Sequence, residues 1–157
     1  MLKLAQTAIR AQTPLWIIGK AYSETNSYAQ QFSALAKEHP QLIKVGGPPI
    51  KDREGLAKIY REARGFVLLS AMETRSLAAE EAAACECPLL LSDLPWARST
   101  FGAQVSYCPV ASPEQMAGPL RKFYDDAPTL KPPPRPLHEP DIARQLKDIY
   151  ETTLSRR

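Results

Sequence analysis

The stretch METRSLAAEEAAACECPLLLSD, Met72 to Asp93, holds the residues best placed to do chemistry. Glu73 lies just past an apolar run. Ser76 is a good N-cap for the alanine-rich helix that follows, and Glu80 and Glu81 fall inside that helix. The first N–H groups of a helix lack intrahelical partners and carry the positive end of its dipole, so a phosphate binds there readily. Leu77 and Glu81 are four apart and share a face. That places a carboxylate one turn beyond a phosphate bound at Ser76 and Leu77. A carboxylate accepts two hydroxyl hydrogen bonds in one plane, which suits a ribose diol. Glu80 points elsewhere and is expected to be solvated. A plainer account competes: acids near a helix start complement its dipole whether or not a ligand binds, and on pattern alone that account is the commoner one.

A helix start can hold a ligand only if strands fix it. The periodicity predicts helices over Leu2–Ala11, with Leu4, Ala8 and Ala11 on one stripe, over Tyr22–His39, over Asp52–Arg64 with Asp52 as cap, and over Ser76–Cys85. A further helix starts at Ser112, with Pro113 and Glu114 in its first turn, and runs to about Asp125; another opens at Pro140. Between them PLWIIGK, QLIKVGG, GFVLLS, PLLLSD and SYCPV are short apolar runs of strand type. Strands that are apolar throughout, and that alternate with helices, predict an α/β fold with a doubly wound, mostly parallel sheet covered on both faces. Ligands in such folds bind beyond the carboxyl ends of the strands, here the loops after Ile18, Val45, Leu69 and Leu91. Residues 1–130 form the main domain. Residues 131–157 comprise the proline-rich connector KPPPRPLHEP and a last helix expected to pack back on that domain, its face marked by Ile142, Leu146, Ile149 and Tyr150.

Bulk properties exclude several classes. A net charge of +3 is too small to argue for nucleic acid or an anionic membrane surface. No apolar run is long enough to span a bilayer, and no signal peptide is read at the start, so the default compartment is cytoplasmic. Three cysteines do not pair off. Cys85 and Cys87 form a C-x-C pair with nothing to complete a metal site, and they read as small buried thiols. His39 and His138 are isolated in polar surroundings.

Glu73, then Glu81-Ala82, then Ala84-Cys85 and Cys87-Pro88 resemble the acidic signature of nucleotide-sugar glycosyltransferases of the GT-B fold, in the large and mostly retaining "group 1"-type family. The likeness extends outward through WIIGK, LIKVGGPP, REARGFVLLS, LLLSDLPWARSTFGAQVSYCPVASPEQMA and ARQLKDIYETTL, and so covers about Leu15 to Leu154. The resemblance implies the Rossmann-like, C-terminal donor-binding half of such an enzyme. Glu81 would hold the ribose hydroxyls of the nucleotide. Glu73, assigned the catalytic position, and the backbone of Thr74, Arg75, Ser76 and Leu77 would face the donor sugar and its diphosphate. The loop Gly46, Gly47, Pro48 and Pro49 would line the base. The reaction implied is sugar transfer from a nucleotide-diphosphate sugar to an acceptor, with retention of configuration, in a cleft between two domains and without metal or cofactor.

The match has gaps. The chain opens with the helix that should follow the family's first strand. That strand lies mid-sheet and carries a basic pair that steadies the departing diphosphate. The acceptor-binding N-terminal domain is also missing, so the expectation is a fragment of a longer enzyme, inactive alone. Neighbouring strands then have to close ranks, or another copy covers the open sheet as a homodimer. The family's Gly-Phe-Gly is Thr74-Arg75-Ser76 here. Arg75 either supplies some of the lost positive charge or is a solvated loop residue. Glu86 stands where glycine makes a left-handed cap, at a cost of roughly 1 kcal/mol. The alternative reading is a non-catalytic, degenerate module with an assembly or regulatory role.

Overall fold

A computed structural model describes residues 1–18, 26–47 and 52–155. In chain order it contains α1 (Leu2–Arg10), β1 (Leu15–Ile17), α2 (Ser27–Glu38), β2 (Ile43–Val45), α3 (Arg53–Glu62), β3 (Phe66–Leu68), α4 (Leu77–Ala84), β4 (Leu89–Ser92), α5 (Pro95–Phe101), β5 (Ser106–Cys108), α6 (Pro113–Asp126), a short 3-10 turn (Ala127–Thr129) and α7 (Glu139–Leu154). The α/β class and the parallel strands agree with the sequence reading. So do the caps: Asp52 accepts from the Gly55 amide at 2.7 Å, and Ser112 forms a capping box with Gln115.

The double covering is visible in three consecutive residues of β4. Leu89, Leu90 and Leu91 are each at most 1% exposed. Side chains alternate across a strand, so Leu90 enters one apolar cluster while Leu89 and Leu91 enter another. The first cluster joins Ala5, Ala8 and Ala11 of the α1 region to Phe32 of α2 and to Met116, Leu120 and Phe123 of α6. The second sets Ala79, Ala82 and Ala83 of α4 with Ala97 and Phe101 of α5. Alanine on α1 and α4 keeps those helices close to their neighbours. The α1 stripe is rotated from the expected one: Ala5 is fully buried and Leu4 only half-buried. Thr7 is buried too, its hydroxyl donating to the Lys3 carbonyl at 2.8 Å.

The sheet is in two pieces. β1 pairs in parallel with β2, and β3, β4 and β5 pair in parallel in that order. No ladder joins β1 to β3. A cavity of about 490 Å³ lies there instead, lined by Leu15, Trp16 and Ile18 on one side and Phe66 and Val67 on the other. β1 and β3 therefore do not close ranks. Among the described residues α3 alone lies between β2 and β3, a connection that sets successive strands in the same sense, and the order reads β2-β1-gap-β3-β4-β5.

Two features depart from the sequence reading. Helix α5 was not expected; its signals are Pro95 in the first turn and Gly102, at φ +59°, just past its end, around too few residues to show a helical period. The last helix does not bury a face on the domain: none of its residues is buried, and Ile149, Tyr150 and Leu154 are well exposed. The connector ahead of it is anchored, with Pro133 buried and Arg135 ion-paired to Glu86.

Glu86 adopts the left-handed conformation expected of it, at φ +62°. Its amide bonds the Ala83 carbonyl at 2.9 Å and the Cys87 amide bonds Ala82 at 3.0 Å, the paired bonds of a Schellman cap. Glycine relieves the strain there, while the exposed Arg135 pair that is lost contributes little. Glu86→Gly is therefore expected to raise unfolding stability by up to about 1 kcal/mol in urea titration. Gly65→Ala is expected to lower it by about 1–3 kcal/mol, because an added Cβ meets the Phe123 ring at 2.6 Å.

Candidate functional site

The acidic loop begins where β3 ends. Ser92, the last residue of β4, donates its hydroxyl to the Ser70 carbonyl at 2.6 Å. The Ser70 hydroxyl donates to the Met72 carbonyl at 2.9 Å, closing a tight turn. The chain then presents Glu73, half-buried, followed by exposed Thr74 and Arg75. Ser76 is the N-cap, as read from the sequence, its hydroxyl accepting from the Ala79 amide at 3.3 Å. Leu77 and Ala78 follow, both exposed. Their amides have no partner within the helix.

The two adjacent glutamates have different fates. Glu80 is not solvated: its side chain is 15% exposed and takes the Arg75 guanidinium in a fork, Nε to Oε1 and Nη2 to Oε2, each at 2.7 Å. Arg75 is itself exposed, as the loop-residue alternative expects, and it is paired. Its charge is matched inside the loop. Glu81 is exposed and makes no ion pair among the described residues. The Tyr60 hydroxyl, from α3, reaches its Oε2 at 3.4 Å, a long contact. Tyr60 is steadied edge-to-face against Phe66, with centroids 5.8 Å apart. Burial, then the charge of Glu81 and the hydrogen bond to it, push the Tyr60 hydroxyl up to about 12, so it stays a donor through the neutral range.

The glycine turn lies across the gap, at the carboxyl end of β2. Gly46 has φ +83°, and its amide donates to the Ile17 carbonyl at 2.9 Å. The Trp16 indole N–H donates to the Gly46 carbonyl, and a Cβ on Gly47 would stand 2.9 Å from the indole ring. Only glycine lets the turn sit against the indole so closely. The Lys44 ammonium lies over the other part of this device, 4.6 Å from the Trp16 ring centroid. Pro48 and Pro49 lie outside the described residues.

Glu73, Thr74, Arg75, Ser76, Leu77 and Glu81 thus share the β3–α4 side, while Gly46 and Gly47 occupy the β1–β2 side. No hydrogen bond or ion pair joins the two groups among the described residues. None of them lines the cavity between β1 and β3, but their neighbours do: Trp16, which braces the glycine turn, and Tyr60 and Ala78, which flank Glu81. Chain order reverses across that gap, from β1–β2 to β3–β4, which is where open α/β sheets form their ligand crevice. Sequence reasoning missed Tyr60, Trp16 and Lys44 as parts of the site. Tyr60 reads as one apolar position on a helix face, and nothing local marks its partner 21 residues away.

The sequence profile of the family described as "Glycosyl transferases group 1" matches residues 1–133, from α1 into the connector. The chain belongs to that family. Among solved structures, AviGT4, described as a glycosyltransferase involved in avilamycin A biosynthesis, matches at 13% identity with a TM-score of 0.49. That match covers 79% of this chain and 37% of AviGT4, so the chain spans little more than a third of the matched structure's length. No curated protein matches the sequence.

The Tyr60–Glu81 contact gives a pH prediction. A group whose folded pKa is raised adds stability below its unfolded value, and that stability is lost as pH rises through the folded one. For Tyr60 the loss falls between pH 10.0 and about 12. Spectrophotometric titration of tyrosine ionisation is expected to show a late component that Tyr60→Phe removes. Glu81→Gln is expected to move it to lower pH.

Proposed function

We propose that this group 1 glycosyl transferase chain is a donor-binding half, which holds a nucleotide-diphosphate sugar at the crevice between the two sheet pieces. The observation that supports it is the state of Glu81. Its carboxylate is exposed, free of ion pairing among the described residues and one turn beyond the open amides of Leu77 and Ala78. In this reading Glu81 accepts both hydroxyls of the ribose, the helix start takes the diphosphate, and Glu73 faces the donor sugar. The turn at Gly46 and Gly47 lines the base. Glycosyl transfer with retention is the reaction proposed for the longer assembly, in the cytoplasm and without a metal or cofactor.

The Arg75–Glu80 fork limits what this chain does alone. Transfer creates negative charge on the leaving diphosphate, and stabilising such charge is usually the largest catalytic term. Arg75 is already matched, so this charge is met from the opposite wall of a cleft, by an acceptor-binding domain. The chain alone binds donor without turning it over. The same fork is what favours the second reading, a non-catalytic module retained for assembly or regulation.

Calorimetric titration with uridine, guanosine and adenosine diphosphates separates the two. The donor-half reading expects base-selective binding that Glu81→Ala weakens by about 10- to 100-fold, the value of one or two hydrogen bonds to a charged group. Glu80→Ala leaves binding intact or tightens it at low salt, since it releases Arg75. A flat response to all three nucleotides supports the second reading. Binding that is indifferent to Glu81→Ala contradicts the assigned site.

A further inference from the structure

We propose that α7 is a self-association helix, whose exposed apolar stripe pairs antiparallel with the same stripe of a second copy of this chain. Ile142, Leu146, Ile149 and Thr153 stand four, three and four residues apart, the spacing of a coiled-coil seam. Every residue of α7 except Asp141 is exposed, with Leu146 at 47% and Ile149 at 58%. The connector before the helix is anchored by buried Pro133 and by the Arg135–Glu86 ion pair, so the stripe is presented from a fixed point.

The charges of α7 decide which occupant fits. Between Ile142 and Thr153 the helix carries Arg144, Lys147, Asp148 and Glu151, and at the heptad spacing all four fall on positions that face away from the seam. Three of them pair within the helix: Arg144 with Asp141, and Lys147 with Glu151 at 3.7 Å. The positions beside the seam hold Ala143, Gln145, Tyr150 and Thr152, all uncharged. Charges at those positions are what select a partner helix. With none there, nothing repels an identical helix and nothing favours an unlike one. A lipid surface fits worse. Helices that lie on membranes are rich in Lys and Arg on the polar face, whereas α7 sets four acids, Glu139, Asp141, Asp148 and Glu151, against Arg144 and Lys147.

The same charges set the orientation. A parallel pair would place the acidic first turns, with Glu139 and Asp141, side by side, along with the like ends of both helix dipoles. An antiparallel pair separates them. A twofold axis passing between Lys147 and Asp148 then sets Leu146 against Ile149 of the second copy, and the reverse. On the flanks it brings bulky Tyr150 beside Ala143 of the second copy, and Gln145 beside Thr152 of the second copy. Large thus meets small, and amide meets hydroxyl. The seam is short, within a helix of 16 residues. The contact therefore falls below the size of stable interfaces, and the dimer is reversible, with a Kd of about 10–1000 µM. None of this depends on which donor the crevice binds.

The test is analytical ultracentrifugation of the 157-residue chain at loading concentrations from about 10 µM to 1 mM, the range of the expected affinity. The unaltered chain is expected to pass from monomer to dimer across that range. Leu146→Lys and Ile149→Glu change exposed residues, so each chain is expected to keep the unfolding midpoint of the dilute monomer and to associate at least tenfold more weakly. Mixed in equal amounts, the two are expected to recover at least tenfold, because the antiparallel layer sets the introduced lysine opposite the introduced glutamate. A mixture of Leu146→Lys with Leu146→Glu is expected to recover nothing, whereas a parallel pair would recover in that mixture. Four outcomes overturn the proposal. The unaltered chain stays monomeric throughout. Both single changes leave association intact, which puts the contact on another surface. The first mixture fails to recover, whether or not the second does. The chain stays monomeric and binds phosphatidylglycerol vesicles through the stripe, which makes α7 a lipid-binding helix.

Discussion

Successive residues on a helix point about 100° apart, so Glu80 and Glu81 cannot serve the same partner. The rest of the site depends on how that constraint is resolved. Glu80 turns back to the loop and takes the Arg75 fork, and among the described residues Glu81 is left on the open side with only the long contact from Tyr60. The ion pair therefore does more than join two exposed groups, which alone would contribute little. It ties the loop after β3 to the first turn of α4, and it neutralises a carboxylate that would otherwise repel an anion at the helix start.

The sheet supplies the rigidity behind this arrangement. α4 lies on the β3–β4 layer through Ala79, Ala82 and Ala83, each fully buried. It is pinned at one end by the Ser76 cap and at the other by the left-handed turn at Glu86. The strain at Glu86 fits a local rule being broken where a second contact uses the residue: its carboxylate holds Arg135 and so fastens the connector across the amino end of the sheet, away from the crevice. The weak direction is lateral. With no ladder between β1 and β3, the two walls of the crevice are related chiefly through α1 packed against α6, with the Arg10–Glu114 pair at 2.6 Å and the Arg121 guanidinium donating to the Gln12 carbonyl at 3.1 Å beside it.

Much of this was legible in the sequence, and the limits have physical causes. Continuous apolar runs marked the strands because a parallel sheet buried on both faces needs them. Caps at Asp52, Ser76 and Ser112 were legible because they act within three or four residues. The left-handed turn at Glu86 was legible from its place between helix and strand. What escaped was non-local: Tyr60 reaching Glu81, Trp16 bracing the glycine turn, and the choice Arg75 makes between a ligand and Glu80. The last helix misled for a related reason, since an amphipathic stripe states that a face needs a cover but not where the cover is. The assignment of Glu73 and Glu81 to a donor site came from family resemblance, and membership of the group 1 family is what the matched profile establishes for residues 1–133.

The central claim is that the start of α4 binds a diphosphate while Glu81 holds the attached ribose. Amide chemical shifts read during titration with nucleoside diphosphate test it most directly. The account predicts that the Leu77 and Ala78 amides shift most, downfield as they gain an anionic acceptor, and that the Tyr60 ring signals move as Glu81 is engaged. If the largest shifts fall elsewhere and these amides stay put at saturation, the account is contradicted.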